Sequence, residues 1–370
     1  MHLKNKLFFL CLLALPLFGR AQVMTDPGIQ QTILKTLDNI YNMEFAEADG
    51  LIRQIRARYP QHPIGPILRA TQLELQYLPM HENKAATAQF IQAVSQGLEL
   101  SKKVLNKNPN DPEAVFFALT AHSYLASLYN NQSEAIKAVS ESKKSYTYLK
   151  DGFNMTTKFP DFYFTTGLYN YYVERYPMDH PIVRPFMFFF DNGDMAQGLK
   201  QMEMATKKGL FMRVGANYYL AHVLLKHEMQ PARAAIYTKY LADKYPNNPL
   251  FNMSHAEALL LAGRYAEARP YVQRLKQMNS TLVPMAVYVF DGMLDELADK
   301  NDRSAADNYQ AALKLPFDEA YTKEYHAFAY AGLARIAART SDRNQARVYY
   351  RKALGVGGYK SLIREAKAYK

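Results

Sequence analysis

The chain of 370 residues has no tryptophan, a single cysteine and only 17 glycines. Each scarcity excludes something. The cysteine, Cys11, sits inside an N-terminal apolar run, so the rest of the chain can form no disulfide and has no thiol nucleophile or Cys-ligated metal. Sparse glycine, set beside plentiful Ala, Leu, Lys, Glu, Gln and Met, favours helix. No sustained stretch shows the strict apolar–polar alternation of half-buried strands. Lysine and arginine outnumber aspartate and glutamate, 45 to 34, yet never form a run of five. Interspersed charge of this kind reads as solvated helix faces, and no nucleic-acid partner is expected.

Lys4 and Lys6 precede an apolar run from Leu7 to Phe18, and Gly19-Arg20-Ala21 places small residues before Gln22. This is the pattern of a secretory signal over residues 1–21. The run is shorter than the ~18–20 residues that span a bilayer. Leu10 precedes Cys11 and apolar residues follow it, which argues against lipidation. Removing Lys4, Lys6 and Arg20 leaves 42 basic residues against 34 acidic ones, a net +8. A mature chain without cysteine suits an oxidising compartment. The expected location is the periplasm, with secretion or peripheral envelope association open and no transmembrane helix after residue 21.

What the chain does contain is a period. Ala234 and Ala268 are 34 residues apart, Ala305 and Ala346 follow at steps of 37 and 41, and Gly198 precedes Ala234 by 36. Gly263 and Tyr265 before Ala268 mark a helix–turn–helix. Tyr309 and Tyr350 each follow their alanine by four, with Ala312-Leu313 and Ala353-Leu354 beyond and Pro246 and Pro316 as stops. These features resemble the tetratricopeptide repeat (TPR) superfamily, whose period is 34 residues. The superfamily's tryptophan is absent, and the longer steps imply longer turns. The resemblance implies an all-α fold, a right-handed α-solenoid of TPR-like helix hairpins with an aromatic-rich insertion. In such an array each hairpin buries its apolar stripe against its neighbours.

Pro60, Pro109 and Pro160 act as stops in the first half. Ala135, Val139, Ser142, Tyr146, Leu149, Phe153, Thr156 and Phe159 recur at helical spacing and predict one stripe. The expected layout is long hairpins over 22–160, an aromatic insertion over 161–194, repeats over 195–358 and a capping helix over 359–370. Within the insertion, Pro177, Pro181 and Pro185 argue against a continuous helix, and Asp194 predicts the N-cap of the next one. Residues 178–190 could be core, a partner or ligand patch, or a shallow membrane contact.

Gly167, Tyr169, Asn170, Gly193, Asp194, Gly198, Leu199, Tyr245, Pro246 and Asn247 form a second pattern. Over about residues 160–255 it resembles a block in uncharacterised bacterial TPR proteins, distantly related to fungal inclusion-body clearance proteins. That resemblance implies a helical repeat protein and carries over no site.

No catalytic constellation emerges. His227-Glu228 begins like a zinc-protease helix, but Pro231 stands where the second histidine would be. His222 and His227 are five apart, off one helix face. Gly355-Val356-Gly357-Gly358 lacks the preceding strand of a phosphate loop. No enzyme activity, metal or cofactor is expected. Binding is the expected role, as an interaction scaffold for a protein or peptide partner in the cell envelope. The alternative is a small-ligand, glycan or lipid-binding protein that uses the Tyr/Phe-rich surface. By analogy with TPR arrays the concave, partner-binding face would carry Tyr219, Val223, Lys226, Met253, Glu257, Leu260, Arg335 and Arg339. The Lys and Asn of TPR carboxylate clamps have no counterpart at these positions.

Overall fold

A computed structural model describes Val23, residues 26–179 and residues 181–369; the signal expected over 1–21 lies outside the described residues. The described residues contain helices and no strand. The helices pair in sequence: α1 (Pro27–Tyr41) with α2 (Phe45–Arg58), α3 (Ile64–Gln76) with α4 (Lys84–Leu105), and α5 (Pro112–Asn131) with α6 (Ala135–Phe153). Next come α7 (Phe162–Asp179) with α8 (Met195–Lys208), α9 (Arg213–Lys226) with α10 (Pro231–Lys244), and α11 (Pro249–Leu261) with α12 (Tyr265–Leu275). The last pairs are α13 (Val283–Met293) with α14 (Asp302–Leu313) and α15 (Lys323–Arg339) with α16 (Arg343–Val356), followed by α17 (Lys360–Ala368). Each hairpin also packs on the next one along the chain, which is how an isolated hairpin's apolar stripe is removed from water.

The period read from the small residues extends further than the sequence suggested. Gly198, Ala234, Ala268, Ala305 and Ala346 are each the fourth residue of the second helix of a pair, and all are buried. Ala48, Thr87 and Ala138 hold the same place in α2, α4 and α6. A small side chain here lets two helix backbones approach. The clearest case is α7 on α8: a Cβ on Gly167 would lie 2.9 Å from the Gly198 carbonyl oxygen, and one on Gly198 would lie 2.7 Å from that of Gly167.

The turns inside the hairpins repeat as well. Met43, Ser133, Met229, Gly263, Lys300 and Ser341 all have positive φ between 55° and 72°, one in each of six hairpin turns. A left-handed residue after a helix allows the next N–H to reach back over the last turn. Glu44 N–H donates to the Asn39 carbonyl at 2.8 Å, and Arg264 N–H to that of Leu259 at 2.9 Å.

Two large cores form, one from Val23 to Phe211 and one from Tyr171 to Leu362, and the half-buried ring of Tyr41 packs against both. Tyr41 ends α1, which the array brings back against the start of α11. Its ring lies 5.8 Å from that of Tyr245 and 6.0 Å from that of Phe251. The Tyr245 hydroxyl donates to Asp38 at 2.7 Å, Asn248 Nδ2 donates to the Tyr41 carbonyl at 2.9 Å, and Asn247 N–H donates to Asn42 Oδ1 at 3.2 Å. Lys244 pairs with Asp38 at 2.7 Å. A second tie joins His81, before α4, to Asp318, before α15, at 3.2 Å. Hairpins 200 residues apart thus touch, in addition to adjacent ones.

The aromatic stretch divides differently from the expected insertion. α7 continues through Pro177 to Asp179, and the change comes at a 3-10 segment, Pro181–Phe189. The earlier turns of α7 are held by close packing on α8, so the proline near its end does not break it. Phe190 packs edge-on to Tyr146 at 5.3 Å, whereas Phe188, Met178 and Tyr176 are exposed. Asp194 caps α8 by accepting from Gln197 N–H. The expected stripe over 135–159 also shifts. α6 stops at Phe153, and Val139 is exposed while Ala138 and Leu149 are buried.

Two outcomes test this packing. Gly167→Ala should cost about 1–3 kcal/mol in urea unfolding, because the new methyl meets backbone that cannot yield. An unchanged midpoint would mean that α7 and α8 do not approach this closely. Near the C-terminus, Glu296 is buried in a π-helical turn and accepts from Arg335 at 2.7 and 2.8 Å, from Arg339 at 3.1 Å and from Tyr309 at 2.8 Å. Burial works to raise its carboxyl, and these donors hold it below the usual range instead. Arg335→Ala should therefore cost about 3–5 kcal/mol by leaving that carboxylate short of charge, and adding Glu296→Leu should recover part of the loss. Additive losses in a double-mutant cycle would refute the coupling.

Candidate functional site

The first helices of successive hairpins turn toward a common interior. Tyr41 from α1, Thr71, Glu74 and Leu75 from α3, and Leu119 and Tyr124 from α5 form one side. Phe164, Leu168 and Tyr172 from α7, Tyr218 and Tyr219 from α9, and Leu250 and Phe251 from α11 form the other. Tyr321, in the loop before α15, completes the wall; its N–H is fixed by Asp318 Oδ1 at 3.0 Å. The inner face forms a half-open chamber of about 500 Å³, with Tyr41 and Tyr321 in its wall. Small-molecule sites typically run to about 300–1,000 Å³ and are mostly apolar with a few fixed polar groups.

Glu74 is the chamber's one acidic side chain, and no lysine, arginine or histidine lines it among the described residues. Glu74 makes no hydrogen bond or ion pair there. Removal from bulk water alone pushes its carboxyl from 4.5 up to about 7. Its accessible surface makes it half-buried, and it lines the chamber. The same applies to Tyr219. It exposes 45% of its surface, yet burial and then the Glu74 charge push its phenol up to about 12. Tyr41, Tyr124 and Tyr321 are raised in the same way, by burial first and Glu74 second.

Two other carboxylates are raised by burial, and both have donors. Asp161, at about 6, accepts from Met212 N–H at 2.6 Å and Leu210 N–H at 3.2 Å. Glu257, at about 7, accepts from the hydroxyls of Tyr325 and Tyr359. Glu257 belongs to a smaller, more polar pocket of about 170 Å³ that shares Tyr218, Leu250 and Tyr321 with the chamber. There Lys226 pairs with Glu324 at 2.7 Å, and His222 is pushed down to about 3 by burial and then by Lys226.

The eight residues placed on a concave face from sequence scatter. Tyr219 lines the chamber, and Lys226, Met253 and Glu257 line the smaller pocket. Val223 and Leu260 are inside the core at 0% and 1% exposure and present no surface to a partner. Arg335 and Arg339 lie elsewhere and are taken up by Glu296, Glu365 and Asp302. Sequence reasoning missed Glu74, Tyr41, Tyr124 and Tyr321. Gly355–Gly358 contributes a helix end, with Gly358 N–H donating to Glu324 at 2.8 Å. His81, Glu82 and Asp318 bring three metal-ligand atoms within 4.8 Å of one another. Asp318 already spends one oxygen on His81 and the other on the Ala320 and Tyr321 N–H groups, so this cluster reads as a fastening of the loop.

Glu74 makes stability depend on pH with a definite sign. A carboxyl raised above its unfolded value contributes full stability below pH 4.5 and loses it as pH rises through about 7. Glu74→Gln should therefore raise the melting temperature at pH 8 and change it little at pH 4.5. Equal shifts at the two pH values in a calorimetric scan would show that the carboxylate is compensated in the folded protein.

No known protein-family description and no curated protein matches the chain. Among solved structures it is similar to yeast Tom70, at 12% identity and a TM-score of 0.39, over 93% of this chain and 74% of that one. It is also similar to a tetratricopeptide repeat protein from Parabacteroides merdae, at 14% identity and a TM-score of 0.33, over 81% and 98% of the two chains. In architecture, judged from their paired helices and repeated turns, the described residues form an all-α array of helix hairpins.

Proposed function

We propose that this chain works by binding, as an interaction scaffold exported to the cell envelope, and that its binding surface is the tyrosine-rich inner face. The observation that carries this reading is the convergence of six first helices, α1, α3, α5, α7, α9 and α11, on one concavity. Stacked hairpins offer extended inner surfaces suited to a partner's chain segment. Export is supported by the N-terminal sequence pattern. Among the described residues no helix is long and apolar enough to cross a membrane.

A second reading, a small-ligand binder, is favoured by a specific observation. The inner face holds a half-open cavity of about 500 Å³, lined mostly by apolar and aromatic side chains. The 178–190 segment is the weaker candidate, as the hollow beside Met187 and Phe190 is about 290 Å³ and lies away from that chamber.

A photo-crosslinking amino acid placed at Tyr219, on the inner face, should capture a partner in envelope fractions of the native host. The same group at Ile136, 88% exposed on the outer side of α6, should not. Capture only from position 136, or from neither, would remove the inner face from the scaffold reading.

A further inference from the structure

A buried carboxylate normally has partners. Desolvating an anion costs several kcal/mol unless hydrogen bonds or an opposite charge offset it. Asp161, Glu257 and Glu296 follow the rule, with backbone N–H groups, two tyrosine hydroxyls and two arginines. Glu74 does not, and it faces the cavity of about 500 Å³ on the inner face. The walls there supply no cation. They supply aromatic rings instead, among them Tyr41, Tyr124, Tyr219 and Tyr321, whose hydroxyls all feel the Glu74 charge. An anion that shares a cavity with several aromatic rings is complementary to a cation: the carboxylate provides charge, and ring faces attract a positive group within about 6 Å of their centres. The remaining lining, Leu75, Leu119, Leu168 and Phe251, is suited to an apolar body.

We propose that the chamber is a binding site for an apolar small molecule that carries one cationic nitrogen, held by Glu74 within its cage of tyrosines. The proposal rests on the inner face being the binding surface and goes further, by assigning the chemistry of the occupant. A neutral apolar molecule would leave Glu74 as unpaired as it is now. An anionic one would place like charge against it in a setting of low dielectric, where repulsion is poorly screened.

The test is isothermal titration calorimetry of the full mature chain at pH 8 with four matched probes: decylamine, decyltrimethylammonium, decanol and decanoate, each below its aggregation concentration. Decylamine or decyltrimethylammonium should bind at least tenfold more tightly than decanol, with decanoate weakest. In Glu74→Gln the preference should vanish while decanol binding persists, which also reports that the chamber is still folded. Equal affinity for the amines and decanol would overturn the charge assignment and leave the small-ligand reading standing. Binding of no probe would overturn both. A cation preference that survives in Glu74→Gln would place the recognising group elsewhere and end the proposal as well.

Discussion

The interior depends on one seam. Helix hairpins that pack only on their neighbours build an open curve, and an open curve has a groove but no chamber. Here Tyr41 sits at the junction of the two cores, and Asp38, Asn42, Tyr245, Asn247 and Asn248 fasten the N-terminal hairpin beside it to the start of α11. Asn248 serves twice, since its side-chain oxygen also caps α11 by accepting from Phe251 N–H. Losing it would loosen the seam and fray the helix that the seam holds. The resemblance block that includes Tyr245 and Asn247 acquires a physical meaning from this: these two residues help make the seam. Gly167 and Gly198, in the same block, make a close backbone crossing of α7 on α8.

Closure also sets the electrostatics. Glu74 lies near the end of α3, on a helix that also carries Arg69 paired to Asp49 at 3.0 Å. On an open array Glu74 would be one more solvated carboxylate. Inside the chamber it is removed from bulk water and left without a donor, and the tyrosines around it are held protonated. The chamber is therefore polarised without being hydrophilic. The pocket beside it is arranged oppositely, with Lys226, Glu324, Glu257 and the phenols of Tyr325 and Tyr359 satisfying one another.

Much of the architecture was legible because backbone proximity demands small side chains at a fixed place. Ala234, Ala268, Ala305 and Ala346 announced the hairpins for that reason. The same place in α2, α4 and α6 went unread because longer helices and loops stretch the spacing to 39, 51 and 60 residues. The turns were hidden because five of the six left-handed residues are Met, Ser or Lys rather than glycine. The inner face was only partly legible. α9 and α11 are apolar on several sides, so periodicity gives no single direction, and Val223 and Leu260 could not be told from surface positions. Glu74 gave no signal, because its isolation is created by residues up to 247 positions away, at Tyr321.

Stacked-repeat proteins usually come apart from their ends, since a terminal repeat has one neighbour instead of two. The tie between α1 and the start of α11 gives the first hairpin of this chain a second neighbour. Peeling it away would require breaking contacts with a segment far along the chain. The last hairpin has ties of its own, from Glu324 to Lys226 and from Tyr359 to Glu257, so amide exchange in such a molecule would be slowed at both ends of the array, which a simple zipper does not show.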